Sequence, residues 1–368
     1  MQFCGARGQH PDLQDCDLQV YKTMRQPPSA PSQHLIKNDL DFGVFAGHTT
    51  FQHFVPTSPE IEGYGGWRGR PSVTGMRTTR TIRGRPIERM ASEPVLWNAW
   101  SRVAAGSGMP GADGVSATAF GREVGPRLAA LSQLLLEGRY QAQPLRPIPA
   151  SRGGRARVRA VPTICDRVVQ RAFLNVCGGR LLGRSSVSFS YRKGRSWLNA
   201  VEQVRTYRDS GLRWVLRTDI ADFFAEVDHG LLLTRLRERF RKSALADLVA
   251  DWVRAPLLTP EGIAERTRGL PEGAPVSPAL AEFFLAGFDR SVDHGHGRLI
   301  RYADDLAVLC PTLDDAMAAL GTIESALTDR GLRINHEKTS ISDFEHGFTL
   351  LGWQFTGQDV QPLETEGH

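Results

Sequence analysis

No apolar run in this 368-residue chain reaches the ~20 residues that a membrane-crossing helix needs, and no charged-then-apolar leader opens it. A membrane partner is therefore not expected. Cysteine is sparse: Cys4, Cys16, Cys165, Cys177 and Cys310 lie far apart, with no CxxC pair. That argues against a thiolate zinc site and a disulfide scaffold, and it points to a reducing, cytoplasmic setting. Up to about residue 90 the chain lacks sustained hydrophobic periodicity and reads as loop in "RQPPSAPSQ" and "GYGGWRGRP". A poorly ordered Arg/Gly/Pro-containing N-terminal extension is expected over 1–90, with Met76 or Met90 as alternative starts of the functional chain.

What remains is a chain of ordinary globular character, 41 % hydrophobic and 23 % charged, long enough for one large or two ordinary domains. Its formal net charge is only +5, but the arginines are unevenly placed. "WRGRPSVTGMRTTRTIRGRPIERM" (67–90) has Glu88 as its single acid, and "LRPIPASRGGRARVRAVPTICDRVVQR" (145–171) has Asp166. Most charge runs are solvated faces. Lysine-free arginine mixed with Gly and Pro better suits phosphate contact, because guanidinium forks match phosphate oxygens.

The clearest succession of elements lies between residues 214 and 355. "WVLRTDI" reads as a strand, and "HGLLLTRLRERF" as a helix with Leu232, Leu233, Leu236 and Phe240 on one side. "SPALAEFFLAGFDRSV" has Ser277 placed as N-cap and Pro278 at the first helical position. "GRLIRYADDLAVLC" reads as a hairpin. "TLDDAMAALGTIESALTDRG" carries Thr312 and Asp315 at capping-box spacing and Gly331 as its stop, before "LRIN" and a strand pair around "FTLLGWQF". This split β-α-β order predicts an α+β fold: an antiparallel sheet backed by helices on one face.

The hairpin poses a problem for folding alone. Asp304 and Asp305 sit side by side between two apolar strands, where they repel each other and are costly to bury unpaired. The strand order brings Asp219 to the same sheet edge. Paired aspartates also occupy ordinary exposed turns, but three carboxylates at one edge call for divalent cations, and all-oxygen ligands select Mg²⁺ or Mn²⁺. Two ions about 3.5–4 Å apart form the clamp used for in-line displacement at phosphorus. A two-residue turn here needs positive φ, for which Ala303 and Asp304 are poor choices, so a strained backbone is expected at 303–304.

Taken in order from about Trp97 to Phe355, these segments resemble reverse transcriptases, specifically the bacterial group II intron-like lineage that includes CRISPR-associated enzymes. The resemblance is carried by "GMPGADGVS" (108–116), by "LEGRYQAQPLRPIPASRGGRARVRAVPTICDRVVQRAF", and by "SYRKGRS" (190–196). It continues through "RTDIADFFAEVDH", "GLPEGAPVSPALAEFFL", "RYADDLAVL", "GLRINHEKTS" and "FTLLGWQF". One such block would be weak, whereas the whole series in register is specific. The resemblance implies the fingers and palm of a right-hand polymerase, with fingers over 91–212, palm over 213–355 and a short tail over 356–368. A missing or vestigial thumb is expected.

The implied activity is RNA-directed DNA synthesis by two-metal-ion catalysis, with an RNA template, a DNA or RNA primer and dNTPs as partners. Asp219, Asp304 and Asp305 match the metal ligands, with the Ile220 carbonyl as an additional one. Phe224 matches the steric gate against a ribose 2′-hydroxyl, although it also reads as core packing. Arg157 and Arg155 match the fingers contact to the triphosphate. Lys338 matches a lysine that protonates the leaving pyrophosphate, although an exposed lysine is an equal reading. Tyr302, Gly273, Ala274 and Pro275 match the surroundings of nucleotide and template.

The chain departs from the family where "PQG" reads "PEG", placing Glu272 for glutamine, and where the "IPK" lysine is Ala150, with Arg152 as the stand-in. The tail "TGQDVQPLETEGH" is too short for a helical thumb, so a host-defence or CRISPR spacer-acquisition role is expected, with thumb or integrase function supplied by a partner protein. A catalytically weak or inactive nucleic-acid-binding protein and a nucleotidyltransferase with other substrates are the alternatives. "DHGHG" (293–297) offers two histidines without further ligands, His229 reads as a helix start, and the scattered tryptophans as core.

Overall fold

Short side-chain oxygens begin many of the helices. Ser116, Thr163, Ser196, Asp228 and Thr312 each accept a backbone N–H from the first turn of the helix that follows. The computed structural model describes residues 85–363 except 107, 153–154 and 242; the side chains of 85, 151–152 and 155–157 also lie outside the description.

The helices α1 (Arg85–Ala91), α2 (Glu93–Ala104), α3 (Ala117–Gly121) and α4 (Val124–Leu136) lead into a hairpin of β1 (Arg146–Arg152) and β2 (Arg155–Val161). The long α5 (Ile164–Leu182) and then α6 (Trp197–Asp209) follow. Next come β3 (Trp214–Asp219), the single-turn α7 (Phe223–Glu226), α8 (His229–Arg239), α9 (Ala244–Arg254), and a small hairpin of β4 (Leu257–Thr259) and β5 (Gly262–Ala264). The remainder is α10 (Ser277–Val292), β6 (Arg298–Tyr302), β7 (Asp305–Cys310), α11 (Leu313–Thr328), a 3-10 turn (His336–Lys338), β8 (Ser340–Asp343), β9 (Phe348–Leu350), β10 (Trp353–Thr356) and β11 (Asp359–Pro362).

The central sheet is antiparallel with order β6-β7-β3-β8. One face, with Leu216, Leu299, Leu306 and Val308, joins the main core, where α11 packs against β3 and β7. The expectation of helices on one face only is corrected by the other face. There Val215, Ile300, Ala307 and Leu309 pack with Ala200, Val201 and Val204 of α6 and with Phe348, Leu350 and Phe355 of the β9–β11 sheet. β7 is apolar on both faces beyond Asp305, and β3 and β6 carry apolar residues on both faces, so these strands do not alternate simply, whereas the edge strand β8 is largely polar. Asp219, Tyr302 and Asp305 make one end of the three central strands polar, and Arg217 and Arg301 are charged exceptions further in.

Other details differ locally from the sequence reading. The boundary at 90 cuts through α1, whose Ile87 and Met90 are buried in the main core. The segment after 356 contains β11, paired with β10. "LRIN" forms one bridge, Ile334 to Ile220, and the fourth strand of the sheet is β8. Ser277 does not cap α10. Its hydroxyl donates to the Pro271 carbonyl at 2.7 Å and folds the preceding loop back on itself. Thr312 does cap α11, and Gly331 closes it with φ +67°.

Candidate active site

Asp219 of β3 lies directly opposite Asp305 of β7, which lies opposite Tyr302 of β6. Opposed residues of an antiparallel pair share a face, so the three form a row across three strands, with Asp304 in the adjoining turn. The backbone around the row is pinned. The Ile220 N–H donates to the Asp304 carbonyl at 3.2 Å, and the Asn335 N–H to the Asp219 carbonyl at 2.7 Å. In the turn Ala303 is left-handed at φ +57°, whereas Asp304 is not. The strain expected at 303–304 is therefore held by its first residue, where a β-carbon is disfavoured.

Asp219 is buried, and its Oδ2 accepts a bond from Lys338 Nζ at 2.7 Å. Asp305 is exposed at the start of β7, whose following residues are all buried. Burial, and then the neighbouring charges of Asp304 and Asp219, push its carboxyl up to about 7. Arg217, two positions before Asp219 on the same face, works in the opposite sense and donates to Thr349 Oγ1 at 3.1 Å. Three like charges with one exposed and one enclosed counter-ion form a donor set suited to a divalent cation, because the set is all oxygen and anionic. Among the described residues no three His, Cys, Asp or Glu side chains already close into a cage. Asp219 is engaged by the Lys338 ammonium instead.

Phe224 is half-buried on α7, its ring 5.7 Å from Phe223, and its carbonyl accepts from Leu270 N–H at 2.7 Å. Gly273 lies close against β2. A β-carbon there would meet the Ala160 carbonyl at 3.1 Å and Val161 Cα at 3.2 Å. Ala274 and Pro275 are buried. Both therefore set the loop's position rather than offering a side chain. Arg155 and Arg157 lie on β2 with side chains outside the described residues; Arg159, next in the alternation, stands 3.5 Å from Glu272. A local arginine is thus paired with the glutamate that replaces the family's glutamine.

The second arginine-rich stretch divides in two. Arg146 and Arg159 on the hairpin are exposed, but Arg167 and Arg171 on α5 are buried, so that half is core and not a phosphate surface. Its single acid, Asp166, is buried too. It accepts from the Tyr140 hydroxyl at 2.6 Å, the Thr163 hydroxyl at 2.8 Å and the Gln143 N–H at 3.2 Å. The first arginine-rich stretch falls outside the described residues up to residue 84.

Sequence reasoning missed a buried charge cluster beneath the aspartate turn. Arg301 pairs with Glu282 and Asp289 of α10, each at 2.7 Å, and Arg192 approaches Glu282 at 3.3 Å. Two acids two turns apart on an otherwise apolar helix were the available signal. Burial would raise the Glu282 carboxyl, but Arg301 and the hydroxyls of Ser188 and Ser190 outweigh it and hold the group below its ordinary value.

Among known proteins, the family profile described as "Reverse transcriptase (RNA-dependent DNA polymerase)" matches residues 149–355. Protein YkfC of Escherichia coli (strain K12) is 26 % identical over 77 % of this chain and 86 % of its own length. The group II intron-encoded protein LtrA of Lactococcus lactis subsp. cremoris is 25 % identical over 45 % of this chain, but only 28 % of LtrA is covered. The solved telomerase of Candida tropicalis, in complex with a telomeric RNA fragment, aligns with 69 % of this chain and 50 % of its own at a TM-score of 0.50 and 13 % identity. That likeness concerns the fold. No helix among the described residues is long and apolar enough to cross a membrane.

Proposed function

Because the chain belongs to the reverse transcriptase family, we propose that it is an RNA-directed DNA polymerase, extending a primer 3′-hydroxyl with dNTPs on an RNA template. The observation that supports this most is the row Asp219–Asp305 with Asp304 in the turn beside it, at one end of the central strands of the sheet. Asp219, Asp304 and Asp305, with the Ile220 carbonyl, would hold Mg²⁺, which supplies activation of the primer hydroxyl and neutralisation of the leaving pyrophosphate.

The chain's own residues have separate tasks. Arg155 and Arg157 hold the triphosphate by guanidinium–phosphate contact. Phe224 excludes the 2′-hydroxyl by occupying its volume. Tyr302 floors the nucleotide site beside Asp305. Lys338, a cation already at the carboxylates, holds the proton that the leaving group takes. The loop 271–276 sets the distance between β2 and α10 around the template. A partner protein supplies thumb or integrase function in a defence or CRISPR setting.

A second reading is a nucleic-acid-binding protein that does not extend primers. Its specific support is the Lys338–Asp219 bond, which occupies an oxygen that catalysis needs. Incorporation of dNTP on primed RNA separates the two. The polymerase reading expects Mg²⁺-dependent extension that Asp304→Asn abolishes. Tight hybrid binding without extension at any metal concentration supports the second.

A further inference from the structure

The left-handed residue before the two aspartates has its peptide groups held on both sides, and the holding groups bond to one another. Ala303 N–H donates to Ser190 Oγ at 2.8 Å. The Ser190 hydroxyl donates to Glu282 Oε1 at 2.7 Å. Arg301 Nη1 donates to that same oxygen at 2.7 Å and to the Ala303 carbonyl at 3.1 Å. The four groups close a ring of hydrogen bonds around one residue. Ser190, Glu282 and Arg301 are all buried, and Arg301 is 0 % exposed.

The ring draws on separate parts of the chain: the segment after α5, the middle of α10, and the end of β6. Its anchorage goes deeper. Asp289 takes the other edge of the Arg301 guanidinium through Nε at 2.7 Å and Nη2 at 2.8 Å. Ser188 donates to the second Glu282 oxygen, and the backbone of Ser188 bridges to Arg301. A strained conformation persists only where its surroundings over-determine it. A glycine at 303 would relieve the strain but leave the turn free to take other shapes. Ala303 inside a closed ring has one shape.

We propose that Ser190 and Glu282 are positioning residues: through the ring they fix the Ala303 turn, and so the placement of the Asp304 and Asp305 carboxylates for divalent-cation binding. This rests on the polymerase reading for the role of the two aspartates. Neither residue touches nucleotide or metal. The ring acts through the backbone of residue 303.

The test pairs two neighbouring serines. Ser190→Ala removes the bond to Ala303. Ser188→Ala removes a bond to the same carboxylate, at an equally buried position, and leaves the ring closed. In the wild type the Ala303 amide, although in a hairpin turn, should exchange with solvent as slowly as the amides of β7. In Ser190→Ala its protection should be lost selectively, and Mn²⁺ alone, followed by electron paramagnetic resonance without nucleotide, should bind about tenfold more weakly or worse. Ser188→Ala should lower stability while changing neither readout.

Fast exchange of the wild-type Ala303 amide overturns the proposal without any variant having to fold. Equal weakening of Mn²⁺ binding in both variants overturns it as well, since that is what a merely structural role gives. If the wild type binds no Mn²⁺, or binds it no better than Asp304→Asn, the polymerase reading falls, and the exchange data still report separately on whether the ring holds the turn.

Discussion

Lys338 Nζ donates to Asp219 Oδ2 at 2.7 Å, across 119 residues of sequence. The lysine side chain is mostly exposed and the aspartate is not, so the contact is an exposed cation laid on an enclosed anion. Such a pair is weak in stability, within about 1 kcal/mol. Its weight is in what it competes with.

Lys338→Ala should therefore separate binding from turnover. Removing the ammonium leaves the carboxylates more negative, and Mn²⁺ should bind about 2–5-fold more tightly. The rate of single-nucleotide incorporation should drop by about 10²-fold if the ammonium protonates the leaving group. Metal titration and rapid-quench kinetics measure the two independently. A variant that binds metal more weakly contradicts the competition.

Phe224→Ala should admit ribonucleotides. The half-buried ring next to Phe223 is the volume assigned to the 2′-hydroxyl, and its loss should raise NTP relative to dNTP incorporation by about 10–100-fold. A thermal melt run alongside identifies plain loss of packing. Destabilisation with an unchanged NTP/dNTP ratio returns Phe224 to the core.

The Glu272–Arg159 pair should matter for substrate more than for folding. Both side chains are partly exposed, so Glu272→Gln should change unfolding free energy by less than about 0.5 kcal/mol. It also removes a negative charge beside the hairpin that carries Arg155 and Arg157, and the KM for dNTP should fall about 2–5-fold with kcat nearly constant. Steady-state kinetics at fixed metal concentration check this; an unchanged KM removes Glu272 from the nucleotide's surroundings.

Asp166 gives a pH dependence with a definite sign. Burial, only partly offset by the Tyr140, Thr163 and Gln143 bonds, pushes its carboxyl from 3.8 to about 6. Between those values the folded state holds a proton that the unfolded state has released. Stability from this group is thus fully present below about pH 4 and is lost as pH rises through about 6, by at most about 3 kcal/mol. The difference in unfolding free energy between wild type and Asp166→Asn, measured by denaturant titration, should shrink across that window and stay level above it. A difference that is flat from pH 4 to 7 contradicts the raised carboxyl.

How much of this was legible depended on distance along the chain. Asp304 and Asp305 stood out because like charges interrupted apolar strands, and the turn itself betrayed the strain at Ala303. Thr312 and Gly331 were readable because caps are local. Ser277 was misread because its hydroxyl turns to Pro271, a competing local bond that spacing does not exclude. The covering of the second sheet face needed the β9–β11 sheet and α6 together, and nothing in either segment names the other. The Ser190–Glu282 bond spans 92 residues and left no pattern in sequence beyond two unexplained acids on an apolar helix. Arg167 and Arg171 looked like phosphate ligands because composition carries no information about facing.

The seat of Gly273 against β2 has a mechanical consequence. With its N–H bonded to the Ala160 carbonyl at 3.3 Å and only tight space for a methyl group, Gly273 ties the base of the β1–β2 hairpin to the loop that leads into α10. Any bending of that hairpin would have to pivot beyond residue 160, on the stretch of β2 that carries Arg155, Arg157 and Arg159.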